Sequence, residues 1–221
     1  MKPVLIYCYD AWCGWCYGFS PVIKKIAHEF ASQVEADVLS GGMILTEKPV
    51  HISATAGYIQ QAYKNVEQTT GIKFGSDYLW HINNFEESDW YPSSLKPAIA
   101  MCIVKEFYPD RAIYFAADLQ YALYYEGRDL TDDEAYRHLL DVYPIHPELF
   151  YERLKSDDYN EKALYEFEVV KQLQVSGFPA VLLQTAQQKF YQLASGYTNY
   201  TTLKTRLEAT LNEVALLVKG S

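Results

Sequence analysis

The chain opens on an unbroken apolar run, Val4-Leu5-Ile6-Tyr7-Cys8-Tyr9. Such a run predicts a short strand covered on both faces. After an interruption at residues 10–15 the period changes. Phe19, Val22, Ile23, Ile26, Ala27 and Phe30 recur at spacings of three and four, leaving Lys24, Lys25 and Glu29 outside. That pattern predicts an amphipathic helix, with Pro21 expected in about its first turn, where a missing N–H is tolerated. Val34, Ala36 and Val38 alternate with Glu35 and Asp37 and predict a second strand ending at Gly41-Gly42. Strand, helix and strand in this order form a βαβ unit with parallel pairing.

Between about residues 50 and 160 the strand alternation disappears and helical stripes replace it. Ala98, Ile99, Cys102 and Ile103 form one, and Phe115, Leu119 and Leu123 another. Thr131 and Glu134 have the spacing of a capping box that opens a helix through Leu140. Pro92, Pro97, Pro109, Pro144 and Pro147 separate these pieces. The α/β pattern then returns. Leu164, Phe167, Val170 and Leu173 predict a helix running to Ser176-Gly177. Ala180–Leu183 and Phe190–Leu193 predict two strands joined by a loop over Gln184–Lys189. Leu203, Leu207, Leu211, Val214 and Leu217 predict a last helix capped near Asn199 or Thr201, before Gly220-Ser221. The expected architecture is one α/β domain, residues 1–50 plus 160–221, carrying an all-helical insertion over 51–159.

Composition narrows the function. With 49% apolar and 21% charged residues, the 221-residue chain falls among globular proteins. Twenty Tyr and ten Phe predict extended aromatic packing or binding surface. Nineteen basic against 28 acidic residues give a net charge of −9, which repels phosphate backbones and argues against a nucleic-acid partner. The apolar run at the start is shorter than a signal-peptide core. No stretch approaches the ~20 apolar residues of a membrane-spanning helix. Four cysteines are too few for a secreted disulfide scaffold. A cytoplasmic protein without a membrane partner is expected.

The candidate chemistry lies at the first strand-to-helix junction, in Trp12-Cys13-Gly14-Trp15-Cys16. A Cys-x-x-Cys pair serves zinc when a second pair or spaced histidines accompany it. Cys8 and Cys102 are isolated, and His28, His51, His81, His138 and His146 show no ligand spacing, so no metal site is expected. Redox use instead requires a βαβ context with the pair at the junction, as here. At a helix start, unpaired N–H groups and the macrodipole favour an anion and lower a thiol's pKa. Cys13 is therefore the expected nucleophile, and Cys16, one turn deeper, the resolving thiol. Cys8 and Cys102 are expected to pack as small hydrophobes. Trp12 and Trp15 are expected to be exposed, substrate-contacting loop residues rather than core.

The segment Asp10-Ala11-Trp12-Cys13-Gly14-Trp15-Cys16-Tyr17-Gly18-Phe19-Ser20-Pro21 resembles the active-site segment of DsbA-family proteins, especially their FrnE-like branch. Ser176-Gly177-Phe178-Pro179-Ala180 resembles the loop that faces the cysteine pair in thioredoxin-fold enzymes. The resemblance spans essentially the whole chain. It implies a thioredoxin-like fold with a large all-helical insertion, and a protein disulfide oxidoreductase or isomerase. It also implies that Pro179 is cis and that Phe178 offers its backbone to an extended substrate, with Gly14 beside them. No cofactor beyond the redox-active disulfide is expected, with glutathione a candidate co-substrate. The implied partners are disulfide-containing proteins or small thiols, together with a redox recycling partner.

Two departures matter. Many thioredoxin-fold enzymes carry a buried carboxylate six residues before the nucleophile, where this chain has Tyr7. Asp10 is a candidate for that role, or else a solvated turn residue. Gly14-Trp15 lacks the histidine found between the cysteines of strongly oxidising relatives. Less thiolate stabilisation then predicts a potential nearer thioredoxin's than DsbA's. Two other readings stand beside this one. Kappa-class glutathione transferases and 2-hydroxychromene-2-carboxylate isomerases resemble the same insertion architecture, but typically lack the second cysteine. A non-catalytic binding module would use the aromatic surface of the insertion.

Overall fold

The computed structural model describes residues 2–45 and 48–219, with no side-chain description for 217–219. Gly220 and Ser221 therefore lie outside the described residues, as does the side chain of Leu217. Strand β1 (Val4–Tyr9) lies at the centre of a four-stranded sheet of order β2-β1-β3-β4. It pairs in parallel with β2 (Glu35–Ser40) and antiparallel with β3 (Ala180–Ala186), which pairs with β4 (Lys189–Ser195). The unbroken apolar run follows from this position. Leu5, Tyr7 and Tyr9 enter the main core, while Ile6 and Cys8 join Leu39, Val170, Ala180 and Leu182 in a smaller core on the other face. A period of two divides one strand between two cores.

Helix α1 (Gly14–Glu29) starts directly after Cys13. Pro21 thus sits in the helix interior, not in its first turn. The N–H it lacks would have bonded the Tyr17 carbonyl, and the Ser20 hydroxyl donates to that oxygen instead, at 2.8 Å. A side chain replaces the missing rung, which limits the penalty of an interior proline.

The insertion contributes α2 (Ser53–Thr70), α3 (Ser76–Asn83), α4 (Leu95–Phe107), α5 (Ala112–Tyr124), α6 (Leu139–Val142) and α7 (Pro147–Leu154). Helix α8 (Asp157–Gln172) covers the second sheet face, and α9 (Tyr200–Lys219) packs on α1 and β4. The fold is α/β, a DsbA-like thioredoxin fold with a helical insertion. Helices α1 and α2 approach closely at Gly18, where a Cβ would come within 2.8 Å of Val66 and Thr70. That contact holds α2 over the start of α1.

Two further local expectations need correction. The Thr131 capping box does not form. Asp132 caps instead, its carboxylate accepting from Glu134 N–H at 3.1 Å, and the turn it opens is a short 3-10 helix, Asp133–Tyr136. The Thr131 hydroxyl is committed to Asp129. The loop expected over Gln184–Lys189 is largely strand, and only Gln187 and Gln188 separate β3 from β4. The last helix is capped by Asn199, whose side chain accepts from Thr202 N–H at 2.9 Å. No helix among the described residues is long and apolar enough to cross a membrane.

Candidate active site

Strand β1 delivers residues 10–13 to the N-terminus of α1, and Cys13 is the N-cap residue in extended conformation (φ −90°, ψ 107°). Its carbonyl accepts from Cys16 N–H at 2.9 Å and Tyr17 N–H at 3.2 Å, closing the first turn. Cys13 and Cys16 are both free thiols within hydrogen-bonding reach of one another. The Cys16 thiol donates towards Cys13 and holds its pKa below the ordinary thiol value. The N–H groups of Cys16 and Trp15 act in the same sense, against burial and the Asp10 charge. Cys16 goes the other way, raised by complete burial and by its neighbour's charge. The pair is thus polarised, with the negative charge placed on Cys13 at the positive end of the helix. The Cys13 Sγ lies 3.6 Å from the Phe178 carbonyl oxygen, to which its S–H donates. The Phe178–Pro179 peptide is cis, and Pro179 is buried.

The loop is pinned by groups distant in sequence. Asp10 is buried, not a solvated turn residue. Its Oδ1 accepts from Trp12 N–H and the Ser94 hydroxyl, both at 2.9 Å, and its Oδ2 from Met43 N–H at 2.7 Å. Burial raises its pKa, against these hydrogen bonds, which favour the carboxylate. Gln120, wholly buried on α5, donates to the Asp10 carbonyl at 3.1 Å and to the Cys13 carbonyl at 3.5 Å. Neither Ser94 nor Gln120 was singled out from the sequence. The available signal was Gln120 itself, an uncharged polar residue inside the apolar stripe Phe115 to Leu123.

Tyr7 adjoins the pair from beneath. Its hydroxyl is buried without a hydrogen-bond partner of good geometry among the described residues. Burial, followed by the Cys16 and Cys13 thiols, raises its pKa well above the ordinary tyrosine value.

The expected exposure of both tryptophans needs correction. Trp12 is buried, because its indole N–H donates to the Ser93 carbonyl at 2.9 Å and its ring meets Trp90 edge-on at 5.9 Å. Trp15 is half-buried against Tyr197. Together with Cys13, Gly14 and Phe178, the two rings border a cavity of about 490 Å³ whose opposite wall is α2.

No family model and no curated protein matches the chain. Among solved structures, a protein of Nitrosomonas europaea provisionally assigned as a protein disulfide isomerase superposes with a TM-score of 0.84 at 26% identity. That match covers 96% of this chain and 99% of the other. This chain has a DsbA-like thioredoxin fold. The cytosolic disulfide reductase DsbM from Pseudomonas aeruginosa shares this DsbA-like fold, with a TM-score of 0.74 at 24% identity over 95% of this chain and 98% of its own. A structure of DsbM with glutathione gives 0.73 at 21%, covering 95% and 99%.

Proposed function

We propose that the chain exchanges disulfides through Cys13 and Cys16. Cys13 attacks a substrate disulfide as thiolate, a mixed disulfide forms on its sulfur, and the first substrate thiolate leaves. Cys16 then attacks that mixed disulfide, the second thiol departs, and Cys13–Cys16 is oxidised. The observation that carries this reading is the polarised pair at the α1 N-terminus, where Cys13 is lowered and Cys16 raised. Trp12, Gly14 and Trp15 would contact substrate at the cavity border, and Phe178 and Pro179 would align it beside Cys13. The Phe178 carbonyl, 3.6 Å from the sulfur, is the acceptor that an extended substrate backbone would use.

The chain divides, in this reading, into a thioredoxin-like domain of 1–50 plus 160–221 and an inserted helical domain of 51–159. Residence is cytoplasmic, with the pair kept reduced by a recycling partner, and small thiols are among the substrates. Support comes from the likeness to DsbM, a cytosolic disulfide reductase, and from the structure of DsbM with glutathione.

Equilibration of the Cys13–Cys16 pair against graded glutathione buffers tests the direction of electron flow. A midpoint of about −270 mV, the thioredoxin range, is expected. A value of about −120 mV, that of a strong oxidant, would overturn both the reductive and the cytoplasmic reading.

A further inference from the structure

The cavity beside the cysteine pair has a composition unusual for a site that receives glutathione. Ile59 and Val66 of α2 line it together with Met43, Ile44, Ile52 and Phe74. Among the described residues its lining contains no Lys, Arg, His, Asp or Glu. Its volume of about 490 Å³ lies within the range of small-molecule sites, which are mostly apolar with few polar groups. Cys13 is only 7% exposed and borders this cavity. A disulfide that reaches its sulfur from this side must bring its own body into the cavity.

Glutathione disulfide carries two carboxylates and one ammonium on each half. Moving such charges into an apolar lining without a counter-charge is strongly unfavourable. An uncharged disulfide with aromatic or branched aliphatic groups gains from the same burial.

We propose that this cavity selects small, uncharged disulfides whose aromatic or branched aliphatic bodies fill it, and discriminates against glutathione disulfide. The inference rests on the disulfide-exchange reading and specifies its substrate class. One turnover consumes the dithiol and one R–S–S–R. Two electrons pass from Cys13 and Cys16 to the substrate, two R–SH leave, and the Cys13–Cys16 disulfide remains for an external dithiol to reduce.

The test compares kcat/KM of the reduced protein towards glutathione disulfide and towards the disulfide of N-acetylcysteine benzylamide, which is uncharged and aromatic. A ratio of at least tenfold in favour of the benzylamide is expected. Ala62, half-buried on α2 and part of the lining, supplies two variants. Ala62→Trp fills the space and should collapse the ratio. Ala62→Arg places a guanidinium in the lining and should shift the ratio towards glutathione disulfide by severalfold. A wild-type ratio of one or less overturns the proposal, as does a ratio unmoved in both variants. Faster turnover of insulin disulfides than of the benzylamide would assign the cavity to protein substrates and also overturn it. If neither small disulfide oxidises the pair, the exchange reading falls, and the cavity's selectivity with it.

Discussion

The four cysteines fall into two environments, and burial, which raises a thiol in both, is overcome only at Cys13. Cys13 is buried, yet its thiol is lowered, because Cys16 and the first N–H groups of α1 favour the thiolate. Cys8 and Cys102 lie towards the other face, near Glu166 of α8. Burial and the Asp37 and Glu166 carboxylates push Cys8 up to about 12, and burial with Glu166 raises Cys102 as well. That region also holds a part-buried ammonium. Lys105 bonds Asp37 at 2.7 Å, Glu166 at 2.9 Å and the Val38 carbonyl at 2.6 Å. Burial draws the Lys105 pKa down, and the two carboxylates overcome that and raise it. One side of the sheet directs positive potential at a sulfur, whereas the other spends its positive charge on carboxylates. A thiol's reactivity here follows from which of these it faces.

The contrast is broken most completely at Cys13. Cys13→Ser should reduce disulfide turnover by at least about a thousandfold, the order expected when a nucleophile is removed. Cys16→Ser should accumulate the mixed disulfide, visible by mass spectrometry. Turnover retained in Cys13→Ser would reassign the nucleophile. On the other side, Lys105→Met leaves Glu166 and Asp37 without their shared cation. Unfolding by urea should show a loss of about 2 kcal/mol, below the roughly 3–5 kcal/mol of a fully buried pair because Lys105 and Asp37 are both partly exposed. Unchanged stability would mean that the two carboxylates find water or other partners.

Gly41→Ala acts between the two sides. A Cβ there would lie 2.0 Å from the Phe178 ring, so the ring must move and with it the part of the cavity border that Phe178 forms beside Cys13. A loss of about tenfold in kcat/KM is expected, with the reduction potential little altered. The pH dependence sharpens the contrast further. Alkylation of Cys13 should rise with pH through a midpoint below the ordinary thiol value of about 8.5, as the thiolate forms. Cys8 and Cys102 should stay unmodified in the folded protein at any pH where it remains folded, because burial and neighbouring carboxylates keep them protonated. The smallest effect is expected for Cys8→Ala and Cys102→Ala. Each should change turnover by less than about twofold, as for packing residues away from the reacting atoms.

The legible parts of the sequence were those where one residue reports its own environment. The run Val4–Tyr9 is apolar throughout because it is central, and Cys13 sits where strand period gives way to helix period. Phe178 and Pro179 were legible only beside a known loop; the carbonyl of Phe178 lies 3.6 Å from the Cys13 sulfur, and the bond that joins the two residues is cis. The missed parts depend on distant partners. Asp10 looks like a turn residue until Met43 and Ser94 are brought to its carboxylate. Trp12 looks like loop surface until Ser93 accepts its indole N–H. Helix α2 gave no stripe, because only Ala56 and Val66 are buried, while other residues of its apolar side line the cavity. The hairpin turn was overestimated because Gln184, Thr185 and Lys189 are polar. They stand at the hairpin end of β3 and β4, half-buried or exposed, where polar side chains do not exclude pairing.

The anchoring of the loop at residues 10–13 also sets an order in time. Gln120 lies 107 residues beyond Cys13, and Phe178 lies 165 beyond it. At about 5–20 residues per second of synthesis, Cys13 and Cys16 exist for roughly 5–20 s before Gln120 has been made. Through that interval neither the α5 amide nor the Phe178 carbonyl is available to fix the loop. The nascent chain therefore presents its cysteine pair in a loop that nothing distant yet holds, and the fixed approach to Cys13 belongs to the finished protein alone.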